Sequence, residues 1–211
     1  MIDDVPAGIS YRKDFGAWWP TYDHKPEKCM EFVRNGLPAV DRVVHYCRKL
    51  RIAVQAGGHA GFWPLALAGK FEHVHTFEPE RSLFDCMTRN VTAKNVTMYR
   101  HGLGATCGTV PFKSHVSAGS WRVDQSGEHQ ITLLTVDALK LPHLDALLLD
   151  IEGYEEQALQ GALATIERCR PVILCELLER SAPGIVYWLK FHGYTQRERY
   201  GRDGIFTHGG H

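Results

Sequence analysis

Residues 51–61 read RIAVQAGGHAG, and residues 76–79 read Thr-Phe-Glu-Pro. The apolar run Ile52-Ala53-Val54 leads straight into Gly57-Gly58-His59-Ala60-Gly61, and a second apolar run closes on Glu78. The order is strand, glycine turn, helix, strand, carboxylate. Glycine lets a backbone approach a ligand with no Cβ in the way. The helix behind the turn offers free N–H groups at its start. A carboxylate ending the next strand can accept hydrogen bonds from both hydroxyls of a ribose. The stretch reads as the first strand of a nucleoside-binding α/β domain.

The turn does not spell the dinucleotide fingerprint G-x-G-x-x-G, because Gly57 and Gly61 are spaced G-x-x-x-G with Gly58 between them. No G-K-S or G-K-T occurs either. Without a pyrophosphate cradle, a ligand with one ribose and no phosphate fits better, and S-adenosylmethionine is the common one. On the turn alone, a glycine-rich strand–helix junction with no ligand fits as well.

Outward from this stretch the chain alternates. A helix opens at Asn35-Gly36-Leu37-Pro38 and carries Val40, Val43, Val44, Cys47 and Leu50 at helical spacing. The periodicity then predicts helix 62–69, strand 72–77, helix 80–91 and strand 95–100, followed by Gly102-Leu103-Gly104. Residues 105–136 interrupt the pattern with strands at 109–112 and 131–136 around a polar stretch bearing Trp121, which reads as an inserted hairpin or flap. Strand 144–149 ends in Asp150, helix 154–166 follows, and strand 172–175 ends in Glu176. A helix at 184–192 precedes two strands, 194–199 and 204–208. Apolar strands alternating with helices predict an α/β fold with a mostly parallel sheet covered on both faces, and the last two strands predict an antiparallel edge. With no repeat and no linker, residues 1–211 read as one domain, with 1–35 as an N-terminal arm. Tyr11, Phe15, Trp18, Trp19 and Tyr22 in that arm are read as packing on the domain, with a lid over a pocket as the alternative.

The 211 residues suffice for a large core, and 44% hydrophobic with 23% charged residues is ordinary globular composition. Twenty-four basic and 24 acidic residues give a formal net charge of zero, which argues against non-specific nucleic-acid binding. No apolar run approaches the ~20 residues of a membrane helix. The opening MIDDVPAGIS is too polar for a signal peptide, and Cys29, Cys47, Cys86, Cys107, Cys169 and Cys175 form no C-x-x-C pair. A reducing, cytoplasmic setting is the expectation. The twelve histidines form neither H-x-x-x-H nor a zinc-spaced cluster, and His208-Gly-Gly-His211 reads as a solvated tail, so no metal site is expected.

Ligands of open α/β sheets bind beyond the C-terminal strand ends, where Glu78, Asp150 and Glu176 fall. Glu152 follows in Asp150-Ile151-Glu152-Gly153-Tyr154-Glu155, with Gly153 permitting a tight turn. Such acids can pair with a cationic ligand, deprotonate a hydroxyl or hold a divalent cation. For Glu155, capping of the next helix is the preferred reading. Arg197, Arg199 and Arg202 read first as charges on an edge strand and second as contacts to an anionic substrate.

Taken together, VQAGGHAGFWPLAL, HTFEPE, NVTMYRHGLG, TVDAL, LLLDIEGYEEQALQGA and VILCEL occur in that order over roughly residues 50–180. This ensemble resembles the FkbM family of S-adenosylmethionine-dependent methyltransferases. The resemblance implies a class I, Rossmann-like fold with a seven-stranded sheet, and O-methyl transfer to a hydroxyl of a small molecule or sugar. It implies that Gly57 and Gly61 frame the methionine part of the cofactor, Glu78 holds the ribose, Gly102 and Leu103 flank the adenine, and Asp150 faces the methionine or the reacting groups. The full cofactor set is then Gln55, Ala56, Gly57, His59, Gly61, Glu78, Pro79, Gly102, Leu103 and Asp150. The base is sought among Asp150, Glu152 and Glu176, with His115 on the flap as an outsider. Two positions depart from the family pattern: Gln55 stands where an acid is usual, and His59 where asparagine is common. A glutamine brings no negative charge, so weaker cofactor binding is expected. Two other readings stay open, a nicotinamide-dependent oxidoreductase and a binding module that kept the fold without the chemistry.

Overall fold

The computed structural model describes residues 7–113, 117–118 and 122–209. The chain runs β1 (Ile9–Arg12), β2 (Ala17–Pro20), α1 (Pro26–Gly36), α2 (Pro38–Tyr46), β3 (Ile52–Ala56), α3 (Phe62–Ala68), β4 (His73–Phe77), α4 (Arg81–Asn90) and β5 (Val96–Tyr99). It continues with β6 (Gly102–Leu103), β7 (Gly108–Lys113), β8 (Arg122–Val123), β9 (His129–Leu134) and a single 3-10 turn at Asp137–Leu139. The last part is β10 (Ala146–Leu149), α5 (Glu155–Gln160), α6 (Leu163–Cys169), β11 (Val172–Glu176), α7 (Ala182–Phe191), β12 (Tyr194–Tyr200) and β13 (Asp203–His208).

The main sheet has seven strands in the order β12-β13-β11-β10-β3-β4-β5. All neighbours are parallel except at β13, which runs antiparallel to both β11 and β12. The central strands are apolar on both faces because both faces are covered. Val54, Leu147, Leu149 and Ile173 pack toward Leu159, Ile166, Ile185 and Leu189 of α5–α7. Ala53, Leu148 and Leu174, one residue out of phase, pack toward Val40, Val43 and Leu67 of α2 and α3.

The register lines up the strand ends. Ala56 pairs with Leu149 and Phe77, and Leu149 pairs with Cys175. Gly57, Glu78, Asp150 and Glu176 therefore leave the sheet at one level. At the other end, Asp145 binds the Arg51 guanidinium at 2.6 Å and accepts from the Arg51 and Ile52 amides, which ties β3 to β10.

The structure amends the sequence reading in three places. The span read as an aperiodic arm holds the β1–β2 hairpin and a full helix, α1. Its buried residues are few, Pro26, Met30 and Val33, and the charges between them blur the 3.6-residue period. Trp19 is buried with Ile9, Met30, Ala60 and Cys86, so the arm packs on the domain and α1 also reaches over the site. The span expected as one helix over 154–166 is two, α5 and α6, broken at Gly161. A Cβ at Gly161 would overlap the Gly104 carbonyl, so the two chain segments meet there backbone to backbone. The flap is larger than a hairpin. The antiparallel pair β7–β9 is joined by β8 on one side and β6 on the other into a four-stranded sheet, β6-β9-β7-β8. Trp121 and His115 lie outside the described residues. No helix of the described residues is long and apolar enough to cross a membrane.

Candidate active site

A cavity of about 240 Å³ opens at the C-terminal ends of the parallel strands. The turns after β3, β4 and β10, the last residue of β11 and the turn between β12 and β13 form its floor. The small sheet roofs it with Phe112, Val123, Ile131 and Leu133, and the end of α1 closes it with Phe32 and Val33.

On one side stands the glycine turn. Both the Gly57 and Gly58 amides donate to the Phe77 carbonyl, at 3.0 and 2.9 Å. Gly57 has φ +86°, and a Cβ on it would overlap the Asp150 carbonyl oxygen. This position admits no side chain, for reasons of both conformation and space. Gln55 is buried, and its amide Nε2 donates to the Gly57 carbonyl at 2.8 Å while its Oε1 accepts from the Thr76 hydroxyl at 2.6 Å. The side chain braces the turn from behind and does not line the cavity. Gly61, at φ +98°, caps the start of α3 and also lies off the cavity wall.

Glu78 lies against the turn, only 5% exposed. Its Oε2 accepts from the His59 amide at 2.9 Å and its Oε1 from the Glu80 amide at 2.8 Å. Each oxygen keeps a second lone pair for a ligand hydroxyl. Burial pushes the Glu78 carboxyl up to about 7, against the pull of the two amide bonds. Glu80 is occupied elsewhere, accepting from the Ser82 and Leu83 amides at the start of α4 and from the Tyr22 hydroxyl.

His59 also lines the cavity, with φ +49°. Its ring lies 5.2 Å from that of Trp19, and its Nε2 is 3.5 Å from the Cys29 sulfur. Its Nδ1 is buried without a protein partner. Burial lowers its pKa to about 4, so the imidazole is neutral near pH 7.

On the other side stand the acids. Asp150, Glu152, Glu176 and Asp203 all line the cavity. Glu152 and Gly153 both have positive φ, +57° and +101°. A non-glycine residue held there is strained, and such strain persists only where the surroundings impose it. Glu155 imposes it: its Oε1 accepts from the Ile151 and Gly153 amides at 3.0 and 3.1 Å. Arg180 donates to the Glu152 carbonyl at 3.1 Å. The Glu152 carboxylate itself is free to face the cavity. Burial, then repulsion from Glu176 and Glu155, raises it to about 7. Asp150 is also raised well above the ordinary range, by burial and then by Glu176, Asp203, Glu152 and Glu155.

Of the residues read from the sequence, Ala56, Gly57, His59, Glu78, Pro79, Gly102, Leu103, Asp150, Glu152 and Glu176 share this one cavity. Gln55 and Gly61 stand behind it. Of the three arginines, only Arg202 reaches the wall; Arg197 donates to the Thr207 hydroxyl and Arg199 to the Gly201 carbonyl. Asp203 went unread in the sequence. Its signal is topological: β13 pairs antiparallel with β11, and Asp203 is the register partner of Glu176.

The family model for the methyltransferase FkbM domain matches residues 55–195. The chain belongs to the FkbM methyltransferase family. Among solved structures it is similar to an FkbM methyltransferase from Methylobacillus flagellatus, with 21% identity and a TM-score of 0.54 over 76% of this chain and 44% of that one. This chain thus spans less than half of that relative's length. A candidate methyltransferase of Streptococcus mutans, solved in complex with S-adenosylhomocysteine, is 10% identical, with a TM-score of 0.53 over 80% of this chain and 93% of that one. A candidate rRNA methylase of Clostridium thermocellum is 12% identical, with a TM-score of 0.53 over 80% and 91% of the two chains. Likenesses this remote establish the fold, which is that of the class I methyltransferases. A search of curated proteins found no match.

Proposed function

We propose that this FkbM-family chain is an S-adenosylmethionine-dependent O-methyltransferase acting on a hydroxyl of a small molecule or sugar. One observation carries the reading: a single cavity has a nucleoside-type wall at one end and a group of carboxylates, of which only Glu176 has an ion-pair partner among the described residues, at the other. The wall fits the cofactor. Glu78 has lone pairs for the ribose, Phe77, Pro79, Leu83 and Leu103 give an apolar surface for a base, and the orphaned Nδ1 of His59 needs a partner. When bound, the cofactor supplies an electrophilic methyl carbon on a sulfonium.

The chain's part is positioning and proton removal. Glu78 and the turn at Gly57 would hold the cofactor so that its methyl group could pass to the acceptor oxygen. The hydroxyl proton passes to a carboxylate, for which Glu152 is the choice. It faces the cavity from a clamped turn, and a pKa of about 7 suits a base at neutral pH. A formal net charge of zero for the chain favours a small acceptor over a nucleic acid. Nothing observed favours the nicotinamide reading. Gln55 lends little support to a binding module, because this side chain serves the turn.

The test is calorimetric titration with S-adenosylmethionine and S-adenosylhomocysteine. Micromolar binding of either is expected, with a loss on the order of tenfold or more in Glu78→Ala. No binding to the folded wild type refutes the cofactor assignment, and undiminished affinity in Glu78→Ala refutes the ribose role.

A further inference from the structure

The acids at the ends of β10, β11 and β13 are bonded differently from Glu78, Glu80, Asp145 and Glu155. Glu78, Glu80, Asp145 and Glu155 each accept at least two hydrogen bonds from backbone amides. Asp150, Glu152 and Asp203 accept none at their side chains from any described residue. Glu176 is 3% exposed, yet its contact is one long bond, 3.4 Å from the Arg202 guanidinium to Oε1. Its Oε2 is buried and has no partner; the same holds of Glu155 Oε2, but Glu155 is not on the cavity wall. Buried polar groups are normally satisfied, so an oxygen left bare on a cavity wall marks a place a ligand fills.

The charge has a sign to match. Four carboxylates line this end of the cavity, and Arg202 is the cation among the lining residues. Arg202 comes from the rim with its side chain 60% exposed, and lies over the Phe32 ring at 5.9 Å. The bound cofactor would add one net positive charge, from its sulfonium and ammonium against one carboxylate. With the four carboxylates ionised, negative charge is still left over. Among the described residues, no group of three or more His, Cys, Asp or Glu is arranged to hold a metal ion. A compact organic cation with N–H donors matches the oxygens as they stand.

We propose that this end of the cavity binds a protonated amine, so that the acceptor is an amino alcohol or amino sugar whose ammonium sits between Glu176 and Asp203. The reacting hydroxyl in this picture rests on the methyl-transfer reading; the ammonium site does not. Burial raises Asp203 to about 6 and Glu152 to about 7, and raises Asp150, Glu155 and Glu176 as well. Arg202 and Arg180 face the same group and lower Glu152 and Glu176. A cation between Glu176 and Asp203 brings these two acids back down and expels protons. Its affinity therefore rises with pH through about 6 and falls again where the amine loses its own proton.

The experiment compares charged and neutral probes of one shape: glucosamine against glucose, and 2-amino-1,3-propanediol against glycerol. Binding to wild type is measured with and without S-adenosylhomocysteine, at several pH values and in two buffers of different ionisation enthalpy. The amine of each pair is expected to bind on the order of tenfold tighter, with proton release, and the preference is expected to vanish in Asp203→Asn. Equal affinity within both pairs, no binding of either amine, or a site filled by magnesium chloride but not by amines would each overturn the proposal. The paired probes decide the matter on the wild type alone, even where the variant fails to fold. An amine preference without any binding of S-adenosylhomocysteine would sustain the ammonium site and refute the methyl-transfer reading.

Discussion

The two ends of the cavity are built on opposite principles. At the β3–β4 end, polar atoms are spoken for except His59 Nδ1: Gln55 is bonded at both its amide atoms, the Gly57 and Gly58 amides share the Phe77 carbonyl, and Glu78 holds two amides. At the β10–β11–β13 end, carboxylates crowd together with one long ion pair between them. A satisfied site is rigid and its shape is set before any ligand arrives. An unsatisfied one has stored repulsion that a substrate or a proton relieves. The first end is suited to holding a common ligand, the second to chemistry and choice of acceptor.

The largest expected effect falls at the unsatisfied end. Glu152→Gln keeps the size of the side chain and removes the base. Turnover should drop by roughly a hundredfold or more, the usual contribution of a positioned base. Cofactor affinity, measured by calorimetry on the same sample, should hold. Full turnover with an accepted substrate would reduce Glu152 to a residue of the turn. At the satisfied end the loss is structural. Gly57→Ala meets both a positive φ and the Asp150 carbonyl, and should cost at least about 3 kcal/mol of stability in chemical denaturation. A stable, fully active Gly57→Ala would break the comparison, because the two ends touch at this contact.

The satisfied end is also the one the sequence made legible. Glycines at a strand–helix turn and an acid at the end of a strand carry their reason within a few residues, and the parallel order follows from alternating apolar strands. The resemblance supplied the seven-stranded sheet. What stayed hidden depends on contacts distant in the chain. Asp203 joins Glu176 only because the last strand folds back antiparallel on β11. The break at Gly161 depends on Gly104, and α1 shows few apolar positions because its end covers a cavity mouth while only Pro26, Met30 and Val33 are buried. Gln55 looked like a weakness of the cofactor site while its partners, Thr76 and the Gly57 carbonyl, were unknown.

Gln55 offers a smaller and sharper trial. Gln55→Glu keeps the side-chain length and the acceptor for Thr76, but sets a carboxylate oxygen against the Gly57 carbonyl in place of an N–H. The expected cost is about 1–3 kcal/mol in denaturation, that of a buried bond lost and an acceptor left bare. No gain in S-adenosylmethionine affinity is expected, since the side chain does not reach the cavity wall. A tighter cofactor complex in this variant would mean that an acid at this position acts on the ligand across the turn.

The smallest effect is a dependence of stability on pH, and its sign follows from the raised acids. Glu78 and Glu152 rise from 4.5 to about 7 and Asp203 from 3.8 to about 6. The folded chain then holds protons that the unfolded chain releases, so stability is highest at low pH and falls as pH rises through these values. His59 and His75, lowered by burial from 6.5 to about 4, act in the opposite sense between those two values. They offset part of the slope below about pH 6.5 and none of it above. The clean window is therefore about pH 6.5 to 8, where the melting temperature of the free protein should fall by a few degrees, at roughly 2–4 °C per kcal/mol for a chain of this size. Glu152→Gln should flatten the slope by removing one of the groups responsible, and a bound cation should do the same by lowering the acids. A melting temperature that rises across this window would mean that the carboxylates are ionised and paired in solution, and the contrast between the two ends of the cavity would be lost.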